Sequence, residues 1–234
     1  MNIVRVGVDI TKSIFHCHGV DHYGKTRWRG KYRRSDWLKA LDKQVPKNCE
    51  VAMEACGSSH HWARELQKRG YKVKLMAAQF VKPYVKSNKN DRIDAEAICE
   101  TMSRPNMRFV TVKSVAQQDV QALHRVREEC VGQRTAKANQ IRGLVGEYGL
   151  IAPLVISKLR QALPQWLEDS DNGLTDIFRR LLSTLAQDLR YLDDRVEQLS
   201  DQIQQQVALD PQAQRLMQLR GVGPMVASAL MVAM

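Results

Sequence analysis

The sequence lacks the cysteine pattern of a disulfide-stabilised or zinc-binding domain. Its five cysteines are scattered and odd in number, and none forms a CxxC pair with another. They are Cys17, Cys49, Cys56, Cys99 and Cys130. A disulfide framework and a structural zinc site are therefore excluded as organising features, and a reducing compartment fits best.

Long apolar segments are also missing. Residues 1–5 contain no hydrophobic region of a signal peptide. The longest apolar run, near the C-terminus, is too short to span a bilayer. We therefore expect a cytoplasmic protein with no membrane partner.

Acidic residues are scarce in the first two thirds of the chain. Residues 1–150 contain 28 Lys and Arg but 15 Asp and Glu, a net charge of +13, whereas the remainder has a net charge of −2. Such a basic segment predicts a polyanionic partner, and nucleic acid is the simplest one. A basic surface that only keeps the protein soluble is the alternative. Because hydrophobic residues make up 44% of the 234 residues, we expect one large or two modest domains with real cores.

Two of the few acids begin a predicted helix. Asp91 and Asp94 stand three residues apart, Asn90 can cap the helix, and apolar residues follow at helical spacing. Acids in a first turn also favour the helix dipole, so an ordinary helix start is the alternative.

Two more acids lie in predicted strands. Asp9 is near the end of the apolar strand Ile3–Ile10, and Glu54 ends the strand Glu50–Glu54. A lone buried carboxylate costs several kcal/mol or takes a proton, so each of them needs a cation or hydrogen-bond donors.

Residues 1–113 are predicted to form a mixed sheet with the order β-β-β-α-β-α-β-α. The predicted strands are Ile3–Ile10, Ile14–Val20, Lys25–Tyr32, Glu50–Glu54 and Tyr71–Met76, and the predicted helices are Asp36–Gln44, His60–Arg69 and one that starts at Asp91. Ser35 and either Ser58 or Ser59 are the expected helix caps. In this order the strand ends and the last helix can converge on one point.

Four converging acids predict a divalent-metal site. Carboxylates held together repel one another unless cations neutralise them, and oxygen ligands suit Mg²⁺ or Mn²⁺. A pair of such ions about 4 Å apart can clamp the attacking and leaving oxygens of a phosphodiester. Basic residues around the helix start are candidate phosphate contacts. They are Lys82, Lys86, Lys89 and Arg92.

Three motifs carry a family resemblance. Val8–Lys12, Met53–Ser58 and Lys89–Ile98 resemble the DEDD-motif transposases of bacterial insertion sequences, which are relatives of the Piv-type DNA invertases. The match continues through residues 104–110 and resumes at Leu219–Ala229. The resemblance implies an α/β fold of the RNase H-like, RuvC-like kind. It also implies that Asp9, Glu54, Asp91 and Asp94 are the catalytic, metal-binding tetrad.

Histidines offer weaker candidates. His16 and His18 share a strand face, with His22 nearby, and form a possible metal site. His60 and His61 follow two serines, but those serines are better explained as helix caps than as nucleophiles.

Residues 114–208 are predicted to be helical. Three arginines along Ser114–Tyr148 are candidates to follow a nucleic-acid backbone, although a solvated helix face is the alternative. They are Arg125, Arg127 and Arg134.

An apolar heptad seam follows in the same region, at Leu185, Leu189, Leu192, Val196, Leu199 and Ile203. The seam predicts either a coiled coil or an intramolecular helical hairpin. The resemblance implies a coiled coil that is used for dimerisation.

Residues 209–234 contain a second candidate nucleic-acid contact. Leu219–Ala227 resembles the turn of a helix-hairpin-helix element, in which Gly221 and Gly223 permit a tight turn and backbone N–H groups bind a phosphate. The sequence stops in an apolar helical run. Because members of the resembled family continue into a domain with a catalytic serine, we expect a C-terminally truncated chain with no assigned nucleophilic serine.

The function predicted from this resemblance is DNA transposition by a metal-dependent recombinase at the bacterial nucleoid. The resemblance implies a structured guide RNA and assembly into dimers or tetramers. For a truncated chain we expect binding of metal and nucleic acid without complete strand exchange. A stand-alone RuvC-like junction nuclease and a non-catalytic nucleic-acid-binding regulator are the alternatives.

Overall fold

The computed structural model describes residues 2–84 and 91–233, apart from the side chains of Asp91 and Arg92. Asn90, Lys86 and Lys89 lie outside the described residues. The chain forms two compact units, Met1–Ser114 and Val115–Met234. The finer boundaries at residues 113 and 208 stay predictions.

The first unit is built on a five-stranded mixed sheet. Its strands are β1 (Arg5–Ile10), β2 (Ile14–Val20), β3 (Thr26–Arg33), β4 (Glu50–Glu54) and β5 (Lys72–Met76). They lie in the order β3-β2-β1-β4-β5. The pairs β1–β2 and β2–β3 are antiparallel, and the pairs β1–β4 and β4–β5 are parallel. The predicted α/β class is confirmed, and this arrangement is compatible with an RNase H-like domain.

Helices accompany the sheet in the predicted order. They are α1 (Trp37–Gln44), α2 (Ser59–Lys68), α3 (Ala78–Val81), a 3₁₀ turn (Lys82–Tyr84) and α4 (Asp91–Thr101). The predicted serine cap of α1 is wrong, and that of α2 is right in position but forms no cap bond. The residue before α1 is Asp36, not Ser35, and Ser58 precedes α2 with φ +68° and makes no side-chain cap bond. Ser59 instead donates its hydroxyl hydrogen to the carbonyl oxygen of Cys56 at 2.8 Å.

Alternation along β1 separates two faces of the sheet. Val6, Val8 and Ile10 belong to one core cluster, together with the aromatic side chains Phe15, Trp37 and Trp62. The three aromatic ring centroids are 5.1–5.3 Å apart. The other face, which carries Asp9, is covered by α4, and the buried apolar residues there are Ala52, Met76, Ala97, Ile98 and Cys99.

The turn between β2 and β3 is fixed by Asp21. Its carboxylate accepts hydrogen bonds from the backbone N–H groups of Tyr23 and Lys25 and from Nε of Arg27, at 2.7–3.0 Å. Burial of Asp21 raises its pKa, but these donors outweigh burial and hold the pKa below its ordinary value.

The second unit is helical throughout its described part. Its helices are α5 (Val115–Gly146), α6 (Ile156–Glu168), α7 (Asp176–Leu209), α8 (Pro211–Leu216) and α9 (Pro224–Ala233). No helix in the described residues is long and apolar enough to cross a membrane.

The two long helices, α5 and α7, form an antiparallel pair. Lys137 of α5 contacts Asp188 at 3.0 Å, and Arg134 contacts Asp193 at 3.4 Å. All six residues of the predicted heptad seam are buried in this unit. The seam is therefore buried within one chain, as in the intramolecular alternative.

The segment with Gly221 forms a turn between α8 and α9. Gly221 has φ +86°, a conformation that favours glycine, and the N–H of Val222 donates to the carbonyl oxygen of Leu219. Val207, Ala213 and Ala227 pack together beneath this turn. Phosphate binding by this turn stays a prediction.

Candidate catalytic and nucleic-acid-binding site

Asp9 and Glu54 end neighbouring parallel strands. In the register of β1 and β4, Gly7 pairs with Ala52 and Val8 with Met53. Asp9 and Glu54 are the next residues of the two strands, so both lie at the same end of β1 and β4 and, because side chains alternate, on the same face of the sheet. Both residues are half-buried.

Helix α4 packs on this same face of the sheet, against β1 and β2. A Cβ atom on Gly7 would lie 2.2 Å from the carbonyl oxygen of Ala95 and 2.6 Å from the backbone nitrogen of Cys99. The Cys99 sulfur lies 4.0 Å from the carbonyl oxygen of Arg5. Ala95 and Cys99, in the middle of α4, therefore pack directly against Gly7, and Cys99 also reaches Arg5.

The first turn of α4 begins at Asp91 and contains Asp94, which is half-buried. Asp9 and Glu54 thus lie at the same end of one face of the sheet, and α4, which carries Asp94, packs on that face. The side chain of Asp91 lies outside the described residues.

The pKa of Cys56 is affected by two of these acids. Cys56 is exposed and follows β4. Its pKa is raised first by partial burial and then by the negative charges of Glu54 and Asp9. Both carboxylates therefore act on the same point beyond the strand ends.

Metal binding can be judged from the side chains that are described. Among them, with Asp91 excluded, no three His, Cys, Asp or Glu groups lie close enough to hold one metal ion. The donor chemistry of the acids fits a hard cation, because carboxylates offer oxygen ligands of the kind that Mg²⁺ and Mn²⁺ prefer.

The histidines have other surroundings. His16 lies opposite Asp9 in the register of β1 and β2. His18 is buried and accepts a hydrogen bond at 3.4 Å from Arg29, which also contacts Glu96 at 3.3 Å. The ring of His22 stacks on its neighbour Tyr23.

His60, the first of the histidine pair after the serines, accepts a hydrogen bond from the backbone N–H of Lys113. Burial and the nearby charges of Lys113 and Arg64 lower the pKa of His60.

Some of the predicted nucleic-acid contacts are exposed, and others already bind groups of the protein itself. Lys82 lies in the 3₁₀ turn after α3, and Arg125 is exposed on α5. Arg127 donates a hydrogen bond to Ser200 at 2.8 Å, and Arg134 pairs with Asp193. The last two side chains are thus engaged within their own unit.

Sequence reasoning missed a row of cations on β3. Every second residue of this strand is basic, at Arg27, Arg29, Lys31 and Arg33. Lys31 pairs with His16, which in turn pairs with Asp9, so the row lies on the face that carries the acids. The alternation of charge in the sequence was the signal that would have found it.

Comparisons with known proteins agree with one family. A family model described as "Transposase", for DEDD transposases of the IS110 type, matches residues 6–149. The chain is 46% identical to a probable family 20 transposase of Pseudomonas aeruginosa, over 98% of this chain and 68% of that protein.

Two further relatives are transposases by name. The transposase for insertion sequence element IS1328 of Yersinia enterocolitica is 38% identical over 98% of this chain and 67% of its own length. The transposase for insertion sequence element IS1111A of Coxiella burnetii is 39% identical over 97% of this chain and 62% of its own length. The chain thus spans about two thirds of the length of these relatives. On the family model and these identities, the chain belongs to the DEDD transposases of bacterial insertion sequences.

Proposed function

We propose that this protein acts in DNA transposition and that Asp9, Glu54, Asp91 and Asp94 surround the reacting phosphodiester. The observation that supports the proposal is the parallel pairing of β1 with β4, because Asp9 and Glu54 lie at the same end of these neighbouring strands. Helix α4, which carries Asp91 and Asp94, packs on the same face of the sheet.

The four carboxylates are proposed to hold Mg²⁺ or Mn²⁺, since divalent metals are the usual cofactors of this family. A divalent cation at this place supplies positive charge that activates an attacking oxygen and stabilises charge on the phosphate. The residues themselves orient the site. Asp9 and Glu54 belong to paired strands, and Asp94 belongs to a helix that packs on the sheet, so their backbones are restrained.

The proposed partners are DNA and a structured guide RNA, and the proposed assembly is a dimer or tetramer. Because the heptad seam is buried within one chain, a coiled coil between protomers would use other faces of the helical unit. The turn at Gly221 and Gly223 and the exposed Arg125 are proposed as contacts of that unit with nucleic acid. We place this activity in the cytoplasm, at the nucleoid.

Thermal melting with added metal tests the site. Mg²⁺ or Mn²⁺ is expected to raise the melting temperature of the wild-type protein, because a ligand that binds only the folded state at a hundred times its Kd stabilises by about 2.7 kcal/mol. Asp9→Asn, Glu54→Gln, Asp91→Asn and Asp94→Asn should each lose this response. Glu100→Gln is the matched control, since Glu100 is an exposed acid of α4 that pairs with Arg104. A wild-type response retained by all four variants would contradict the proposal.

The reaction products test the activity. With element-end DNA, guide RNA and Mg²⁺, joined strands would support transposition. Hydrolysed ends without joining would favour the junction nuclease. Binding of metal and nucleic acid without joined strands is the result expected from the sequence of this chain, and nucleic-acid binding without a metal response would favour the regulator.

A further inference from the structure

Of the four basic side chains of β3, two contact carboxylates and two form no ion pair among the described residues. Arg27 contacts Asp21 at 2.7 Å, and Arg29 contacts Glu96 at 3.3 Å. In the part of the chain that the structure describes, Lys31 and Arg33 are in no ion pair, and both are exposed. The unneutralised charge is therefore concentrated at the end of β3 that is level with Asp9.

A cavity of about 730 Å³ lies at this end of the strand. Its lining includes Lys12, Ser13, Arg33, Arg34 and Trp62. The guanidinium of Arg34 lies 5.1 Å from the ring centroid of Trp62, and its backbone N–H donates to the carbonyl oxygen of Ser13 at 2.9 Å. These contacts hold Arg34 against Trp62, on the face opposite the acids, and tie the end of β3 to the β1–β2 turn that carries Lys12.

The basic row lies beside the acids but not among them. Lys31, His16 and Asp9 pair across three neighbouring strands, and Glu54 lies at the end of the fourth. Lys31 is two strands from Asp9, a distance of about 10 Å between backbones. Helix α4 packs on β1 and β2, and β3 lies beyond them as the edge strand.

We propose that Lys31 and Arg33, with Lys12 of the adjoining β1–β2 turn, bind the phosphodiester backbone of the nucleic acid that enters the carboxylate site. Successive basic side chains on one face of a strand are about 6.7 Å apart, a spacing comparable to that of phosphates along an extended nucleic-acid strand. Lys and Arg contacts of this kind orient a nucleic acid without reading its sequence. The inference rests on the proposed function and adds to it the place where the backbone binds.

The test removes two charges and leaves the acids untouched. The double variant Lys31→Gln/Arg33→Gln is compared with Lys39→Gln/Lys43→Gln, which removes the same charge from exposed positions on α1. Fluorescence anisotropy is measured between about 0.05 and 0.2 M salt with duplex DNA and, separately, with a structured RNA. Thermal melting confirms that each variant is folded.

Counterion release sets the expected result. Each lost duplex phosphate contact lowers the log–log salt slope by about 0.9, which corresponds to roughly an eightfold loss of affinity at 0.1 M salt. The β3 double variant should therefore lose about 1.8 in slope and roughly 60-fold in affinity, while the α1 control keeps both. Loss for DNA, for RNA or for both identifies the backbone that is bound.

The outcomes separate this inference from the proposed function. An unchanged salt slope in the β3 variant, an equal loss in the α1 control, or no nucleic-acid binding by the wild-type protein would overturn the inference. The stabilisation by Mg²⁺ is measured on the same variants and should stay at the wild-type value, because none of the four acids is changed. If Mg²⁺ does not stabilise the wild-type protein, the proposed carboxylate site is contradicted, independently of the result for the β3 variant.

Discussion

Replacement of Gly7 by alanine tests the seating of α4 on the sheet. The added Cβ would lie 2.2 Å from the carbonyl oxygen of Ala95, whereas an ordinary contact begins at 3.4 Å, so the helix or the strand must move by about 1.2 Å. Side-chain rotation cannot relieve this contact, because the two nearest atoms belong to the α4 backbone. Overpacking of this kind costs about 1–3 kcal/mol.

Circular dichroism melting measures the effect. A loss of that size should lower the melting temperature of the first unit by roughly 5–15 °C. Gly19→Ala is the matched control on the neighbouring strand, since its Cβ would meet only side-chain atoms at 3.3–3.4 Å. Because the first turn of α4 carries Asp94, Gly7→Ala should also weaken the stabilisation by Mg²⁺. A Gly7→Ala protein that melts like the wild type would refute the packing of α4 against β1.

Two further predictions concern polar contacts. Asp21→Asn should destabilise the protein at pH 7, and the difference in unfolding free energy from the wild type should shrink as the pH falls below about 4. The pKa of Asp21 is lowered in the folded state, so its carboxylate contributes stability above the unfolded pKa, and this stability is lost as the carboxylate is protonated. Equal differences at pH 3 and pH 7 in urea titrations would contradict this. Arg179 donates hydrogen bonds to the carbonyl oxygens of Trp166, Leu167, Asp169 and Leu174. Arg179→Met should therefore cost about 1.5–3 kcal/mol in the free energy of unfolding, whereas Met at its exposed neighbour Arg180 should cost little.

Local patterns in the sequence predicted the strands well. The bounds of β2 and β4 agree with the prediction, because each is a short apolar run between turn residues. The pairing of β1 with β4 could not be predicted from the sequence, because the paired residues are 45 positions apart and nothing in either strand specifies its partner. That pairing is what sets Asp9 beside Glu54.

The helical unit shows the same division. The heptad seam correctly indicated a buried face on α7, but the pattern gives no information on which helix covers it. Arg134 was predicted to contact nucleic acid, because its ion-pair partner Asp193 is distant in sequence and the pair could not be recognised. Ser58 holds the cap position of α2, but its backbone has a positive φ and its side chain makes no cap bond, which the sequence did not reveal.

The basic row on β3 also affects how the protein associates with itself. An edge strand exposes unpaired N–H and C=O groups that another chain can pair with, and charged side chains along the edge oppose such pairing. At the other edge of the sheet, Val110 forms an isolated bridge with Leu75 of β5. Strand β3 instead carries Lys31 and Arg33 at its exposed end, so repulsion between like charges keeps two copies from adding strand to strand. A polyanion bound to Lys31 and Arg33 would neutralise this repulsion. Binding of nucleic acid would then make it easier for the β3 edges of two copies to pair.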